Sequence, residues 1–375
     1  MRLPRTLAFS LLREITAYAL LGFALFTLIV VASNLLRRLE DLVAVGVAWG
    51  DVTAISNCLF AMFTPYAVPF AFLFGVLLTM ARISADSELT AMRACGLGLA
   101  SNVVPVAVVG ALLSGTTAYL LMELEPWGKR ELRNVSTEIA SRGGLLEPGK
   151  FKGLGQRVVY VRDRDRDNRL LGVMISDRSN VEHPFTVFAE MGRFSYQRDQ
   201  GVMELALERG DIHFDSVDDV PDRYRRVSFD TFAYRFDLAS LLGAELRLTR
   251  PGEMTLGELR AVIARAEAGE SLDDLRERDP TVYRTHYHRR LALPVTPFLF
   301  ALVGVPLGIR RTRGARSWGF FVCLGVVFAY YTLLVAGETL AQSQSIPVPL
   351  GLWFPNLAFG ALAVFLLRRA RRVEL

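Results

Sequence analysis

Hydrophobic and polar positions along the chain fall into three blocks. The first and last consist of long uncharged runs: 22 residues from Ile15 to Leu36, 30 from Val52 to Ala81 and 29 from Ala94 to Met122, then 19 from Leu291 to Ile309, 21 from Ser317 to Gly337 and 29 from Thr339 to Leu367. Because an α-helix needs about 20 apolar residues to cross a bilayer, the six runs predict six transmembrane helices. Six buried helices of a soluble protein without one internal charge are the weaker explanation. Arg2, Arg5 and Arg13 precede the first run as they would in a secretory signal, but its apolar stretch exceeds the roughly 7 to 15 residues of such a signal. It is expected to be an uncleaved first helix. Pro65 and Pro69 are expected to kink the second helix, since each removes a backbone donor.

The middle block has a different period. Met203, Leu205 and Leu207 alternate with polar or small residues, and Ile212 and Phe214 do so again after Arg209-Gly210-Asp211, which resembles a turn between two strands. Short runs rich in β-branched and aromatic residues recur at Val158 to Val161, Leu171 to Ile175, Phe185 to Met191 and Val227 to Tyr234, separated by polar breaks such as Asp163 to Asn168 and Asp215 to Asp222. This spacing predicts an antiparallel β sandwich or jelly roll. After it, Thr255-Leu-Gly-Glu258 has the form of a capping box opening a helix with Leu259, Val262, Ile263 and Ala266 on one face. The fold class is therefore α-helical membrane with an inserted antiparallel β domain. Its expected parts are helices 1 to 3 over 1–122, with a short connecting helix at 84–95; the β domain over 123–250; a helical connector over 251–290; and helices 4 to 6 over 291–375.

Charge sharpens the division. Of 38 acidic and 43 basic residues, 30 and 28 lie between Glu123 and Arg290. The flanks keep only 8 acidic and 15 basic residues. Mean hydropathy is +0.29 with 51% hydrophobic residues, which excludes disordered, collagen-like and coiled-coil chains. The excess positive charge of the flanks belongs at lipid headgroups rather than on nucleic acid. With the N-terminus inside, 13 arginines fall in the inside segments and only Arg37 and Arg38 in the short outside connections. That bias places both termini in the cytoplasm and the insert in the periplasm of a bacterial inner membrane. Cys58, Cys95 and Cys323 all lie outside the insert, which must be held by its own core.

Candidate chemistry is sparse. His286 and His288 flank Tyr287 without a nearby carboxylate or cysteine set, so an interfacial role is preferred to metal binding and no metal site is expected. Gly144-Leu-Leu-Glu-Pro-Gly-Lys150 is one residue short of a nucleotide loop, with Phe151 where Ser or Thr must hold Mg²⁺, and is rejected. No H-E-x-x-H or G-x-S-x-G motif occurs, so no catalytic residue and no cofactor of the chain's own is expected. The connection after the second span stands out: Asp86 and Glu88 come early, where a helix start favours acids, and Gly96 ends it.

Asp86-Ser-Glu-Leu-Thr-Ala-Met-Arg-Ala-Cys-Gly-Leu97 is similar to the acidic-Ser-Glu motif, followed by a small residue and Gly-Leu, of the lipopolysaccharide-export permeases, the LptF/LptG family. The layout of three spans, a β domain and three spans extends the resemblance over the whole chain. Gly143 to Phe151 and the strand after it are more similar to the LptF branch. The resemblance implies a half-transporter that pairs with a second LptF/LptG-type permease and binds an LptB-type ATPase dimer, which holds ATP and Mg²⁺. It also implies passage of lipopolysaccharide to LptC- and LptA-type periplasmic bridge proteins. By the same resemblance, Asp86, Glu88 and Arg93 serve ATPase coupling, and Arg37 and Arg38, with Arg289 and Arg290 at the outer mouth of the fourth span, meet the lipid headgroup. Met203, Leu205, Leu207, Ile212 and Phe214 are conduit candidates by the resemblance alone, since the residues by themselves favour a closed sandwich with this face as its core. A permease of another ABC-type lipid or envelope-assembly system, and a membrane-anchored scaffold, are the alternatives.

Overall fold

A computed structural model describes residues 5–43, 49–139, 148–154, 156–165, 169–179, 184–197, 202–214, 225–237, 249–272, 275–309 and 315–372. The chain divides into two compact units, one of residues 1–34, 57–130 and 250–375, the other of residues 35–56 and 131–249.

Among the described residues, six helical segments are long and apolar enough to span a membrane: Thr6–Arg37, Trp49–Ala85, Ala100–Ser136, Pro280–Gly308, Gly319–Gln342 and Val348–Ala370. They are formed by α1 (Arg5–Val43), α2 (Trp49–Ala85), α4 (Leu99–Tyr119) continued by α5 (Glu125–Ile139), α7 (Pro280–Ala292) continued by α8 (Thr296–Gly308), α9 (Ala315–Gln342) and α10 (Val348–Arg372). Short α3 (Glu88–Ala94) follows α2, and α6 (Leu256–Glu267) precedes α7. α2 runs through both Pro65 and Pro69 as one helix.

Three boundaries differ from the charge-based expectation. The third span does not stop where charges begin at Glu123; a π turn, Leu120–Leu124, carries it into α5. The fourth begins eleven residues before the apolar run, at Pro280, with Asp279 accepting the Thr281 amide at 2.8 Å. Glu338, which separates the last two runs in the sequence, lies inside α9. A charge marks where a helix leaves the apolar slab or meets a partner, and neither event ends the helix.

The helical unit is held by buried clusters. One joins Leu11 and Ile15 of α1, Phe72, Val76, Met80 and Ile83 of α2, Leu89 of α3 and Val305 of α8. Another joins Leu73, Phe300, Tyr330, Leu352 and Phe359. Inside the latter, Thr296 donates to Tyr330 at 2.9 Å, Tyr330 to Asn356 at 2.8 Å, and Asn356 to the Ala292 carbonyl at 2.9 Å. That chain gives each buried polar group a partner where water is absent.

The second unit contains a six-stranded antiparallel sheet, β1 (Phe151–Leu154), β2 (Arg157–Arg164), β3 (Leu170–Asp177), β4 (Phe185–Gln197), β5 (Val202–Phe214) and β6 (Arg225–Asp237). The strands pair in sequence order, so the described sheet is a meander. Arg209-Gly210-Asp211 is not a turn. β5 continues through it, pairing with β4 and β6 before and after Arg209, which is left out of both registers. Arg209 takes φ 54° there, and the buried positions change phase, from Leu205 and Leu207 before it to Ile212 after it. The local kink that looks like a turn in sequence is a bend inside one strand, and Gly210 is required because a Cβ would lie 2.1 Å from the Phe188 carbonyl oxygen. The core cluster gathers Val159, Val161, Val173, Ile175, Val187, Leu205, Leu207, Ile212 and Tyr234.

Beneath it, Asp177 accepts from Arg157 at 3.0 Å and from the Ser179 amide at 2.8 Å, and also from the Tyr234 hydroxyl. Burial pushes this carboxyl up, but bonds from Ser179 and Tyr234 and the Arg157 charge outweigh it and hold it below the usual carboxylate range. The same burial and the Asp177 bond push the Tyr234 phenol up. The capping box forms as expected: the Glu258 carboxylate accepts the Thr255 amide at 2.6 Å, and Leu259 and Val262 are buried.

Candidate functional site

The connection between the second and third spans is built by its own local rules. α2 ends at Ala85, Ser87 takes φ 59°, and α3 starts at Glu88, later than the expected 84. At the other end the Gly96 amide bonds the Arg93 carbonyl at 2.9 Å and the Leu97 amide bonds the Met92 carbonyl at 3.0 Å, with Gly96 at φ 78°. That is a Schellman stop, which needs glycine for its left-handed residue. Leu89 is buried and Met92 half-buried against the α1 and α2 cluster, so one face of α3 is anchored. The opposite face, Thr90, Ala91, Ala94 and Cys95, is small and exposed. Arg93 is half-buried beside it.

Arg82 of α2 organises the acids. Its Nε and Nη2 reach the two oxygens of Glu14 on α1, the second at 2.5 Å. Its Nη1 bonds Asp86 at 3.1 Å and Glu88 at 2.9 Å. The structure thus brings Asp86 and Glu88 together on one cation, and adds Glu14 and Arg82, which the sequence reading missed. Glu14 is the one acid before the first run and Arg82 directly follows the second, so the available signal was an acid and a base at matching ends of two neighbouring spans.

The other candidates fall elsewhere. Arg37 is exposed on α1, while the side chain of Arg38 lies outside the described residues. Arg289 bonds Glu338 at 3.3 Å and stacks 5.9 Å from the Tyr66 ring centroid. Arg290 is buried and donates to the carbonyls of Gly252, at 2.9 Å, and Met254. These two cations point into the protein and hold its elements together. With them sits Glu125, 4% exposed, accepting from Tyr66 at 3.1 Å and from Lys129 at 2.5 Å. A small cavity of about 20 Å³ lies among Tyr66, Glu125, Lys129, His286, Arg289 and Arg290. The preceding π turn holds one more residue than an α turn, rotating Glu125 into this cluster.

Leu205 and Leu207 are fully buried and Ile212 nearly so, all packed in the sheet core, with Phe214 half-buried against them. Met203 pairs with Tyr196 and Phe236; its side chain lies outside the described residues. The sheet also carries an open cavity of about 1310 Å³ whose lining includes Phe151, Tyr160, Met174, Phe188, Arg162 and Arg209. Residues 140–147, most of the rejected nucleotide-loop resemblance, lie outside the described set. Among the described residues no group of three His, Cys, Asp or Glu is placed to hold a metal ion.

Residues 10–369 match the family model "Lipopolysaccharide export system permease LptF/LptG". The chain belongs to the LptF/LptG family. It is similar to the lipopolysaccharide export system permease protein LptF of Escherichia coli K12, at 23% identity over 305 residues, 80% of this chain and 77% of that one. The LptF protein of Shigella flexneri is similar to the same extent. As a member of the LptF/LptG family, the chain is a multi-pass membrane permease, and its six spans and inserted sheet fit that membership.

Proposed function

We propose that this chain is the transmembrane permease subunit of an ABC-type lipopolysaccharide exporter of the bacterial inner membrane. In this reading both termini and α3 face the cytoplasm and the sheet faces the periplasm. The chain pairs with a second LptF/LptG-type permease, binds an LptB-type ATPase dimer that carries ATP and Mg²⁺, and passes lipid to LptC- and LptA-type bridge proteins. The observation that carries it is α3. A helix that opens on Glu88, is anchored on one face by Leu89 and Met92, and is small and exposed on the other is suited to lie in a groove of a partner with Glu88 against a basic side chain.

An energy source outside the chain is needed because moving one acyl chain of about a dozen carbons from lipid into water costs roughly 10 kcal/mol at about 0.8 kcal/mol per CH₂. A continuous apolar surface lowers that cost. In the sheet, the open cavity with Phe151, Tyr160, Met174 and Phe188 in its lining offers such a surface, whereas Leu205, Leu207 and Ile212 are packed in the core. Arg37 and Arg38, at the outer end of α1, are the cations this reading assigns to the lipid phosphates. Arg289 and Arg290 have internal partners and hold the outer ends of the helices instead.

The test is purification of the chain with its membrane partners, followed by mass spectrometry of bound lipid and identification of any copurified ATPase. Lipopolysaccharide together with an ATPase supports the reading. A different lipid with an ATPase favours another exporter of the same architecture, and neither one favours a scaffold.

A further inference from the structure

Arg82 is shared, and the sharing is unequal. Two of its three guanidinium nitrogens face the carboxylate of Glu14 in a fork, while the third serves both Asp86 and Glu88. Forked pairing fixes geometry as well as charge. The fork is also the more shielded part: Glu14 and Arg82 side chains are 21% and 26% exposed, against 44% for Glu88. One cation facing three carboxylates leaves these four side chains with a net charge of −2, so a basic group can join Glu88 without removing Arg82 from Glu14.

Glu14 sits on a helix that is weakly held. Only 17% of the apolar window of α1 is buried within the protein, against 67% for α2. α1 touches α2 closely at Gly75, where a Cβ would lie 2.5 Å from the Ile15 carbonyl oxygen, one residue from Glu14. The same apolar cluster holds Leu11 and Ile15 of α1 and Leu89 of α3. One end of α1 is therefore tied to the base of α3 by a pivot and an ion pair, while much of its length is free to face lipid or a partner.

We infer that Glu14 is a positioning residue of the coupling device: through Arg82 it links Glu88 to α1 and transmits docking of the ATPase into that helix. When a basic side chain of the partner takes Glu88, Arg82 loses one competing carboxylate, which strengthens its existing fork with Glu14 and stiffens the joint between α1 and α2. The inference rests on the reading that α3 docks an ATPase.

The experiment uses the complete complex in lipid nanodiscs and measures ATPase retention, ATP hydrolysis and lipopolysaccharide release for Glu14→Gln, Glu88→Gln and the double variant. Glu14→Gln preserves shape, and is expected to keep the ATPase bound and hydrolysis within about twofold while lowering lipid release about tenfold. The double variant is expected to release no less lipid than the worse single one, and this non-additivity should vanish when Arg82→Ala is introduced into all three. Glu14→Asp, which keeps the charge, should restore at least half of the release. Wild-type coupling in Glu14→Gln, or additive effects of the two substitutions, would overturn the inference while leaving the docking reading intact. Absence of ATPase from the unmutated complex would instead defeat the docking reading itself.

Discussion

At the scale of single residues, the strongest commitments are charges buried where an apolar side chain would cost less. Glu125 satisfies both Tyr66 and Lys129. Replacing it with Ala takes this partner from a half-buried ammonium and a half-buried phenol, which costs about 1–3 kcal/mol. Thermal melts of the detergent-solubilised protein should show a midpoint lowered by several degrees for Glu125→Ala and less for Lys129→Met; an unchanged midpoint for Glu125→Ala would show that the cluster does not stabilise the fold. In the sheet, Asp177 has its carboxyl held below the ordinary range by Ser179, Tyr234 and Arg157 against the opposing effect of burial. A depressed carboxylate contributes stability that is complete above its unfolded value and is lost as pH falls through the folded one. Sheet stability is thus expected to decline below the ordinary carboxylate range, and Asp177→Asn should flatten that decline. Far-ultraviolet circular dichroism of melts at pH 3 to 7 checks it.

At the scale of elements, α3 depends on its stop. Gly96 at φ 78° is open to glycine and strained for a β-branched residue by about 1–2 kcal/mol. Gly96→Val should fray the last turn and weaken ATPase retention roughly tenfold, as read by pull-down, without affecting insertion. Much at this scale is legible in sequence. The six spans, the strands, the capping box at Thr255 and the glycine ending α3 follow from local periods and turn chemistry, because each is decided within a few residues. What escapes is decided by distant partners. Glu338 breaks an apolar run, yet Arg289 absorbs it inside a helix. Arg209-Gly210 has the composition of a hairpin turn, yet pairing on both sides keeps β5 continuous. Arg289 and Arg290 look like free cations at a span mouth until Glu338 and the carbonyls of Gly252 and Met254 are found beside them. Glu14 and Arg82 are 68 residues apart, and no local period links them.

At the scale of the whole molecule, a native thiol reports orientation. Cys95, the residue that caps the end of α3, is an exposed native thiol, whereas Cys58 and Cys323 are buried. An impermeant thiol reagent should label Cys95 only after spheroplasts are permeabilised. Arg169→Cys, beside the β2–β3 hairpin, should be labelled in intact spheroplasts once Cys95 is replaced by Ser; the reverse pattern would invert the topology. The central claim is that α3 receives an ATPase through Glu88. Its most direct measurement is affinity purification of the Glu88→Lys protein from membranes, with the ATPase quantified in the eluate and lipopolysaccharide release followed after ATP addition. Normal insertion with no ATPase retained and no release is the predicted result; wild-type retention and release would contradict the claim.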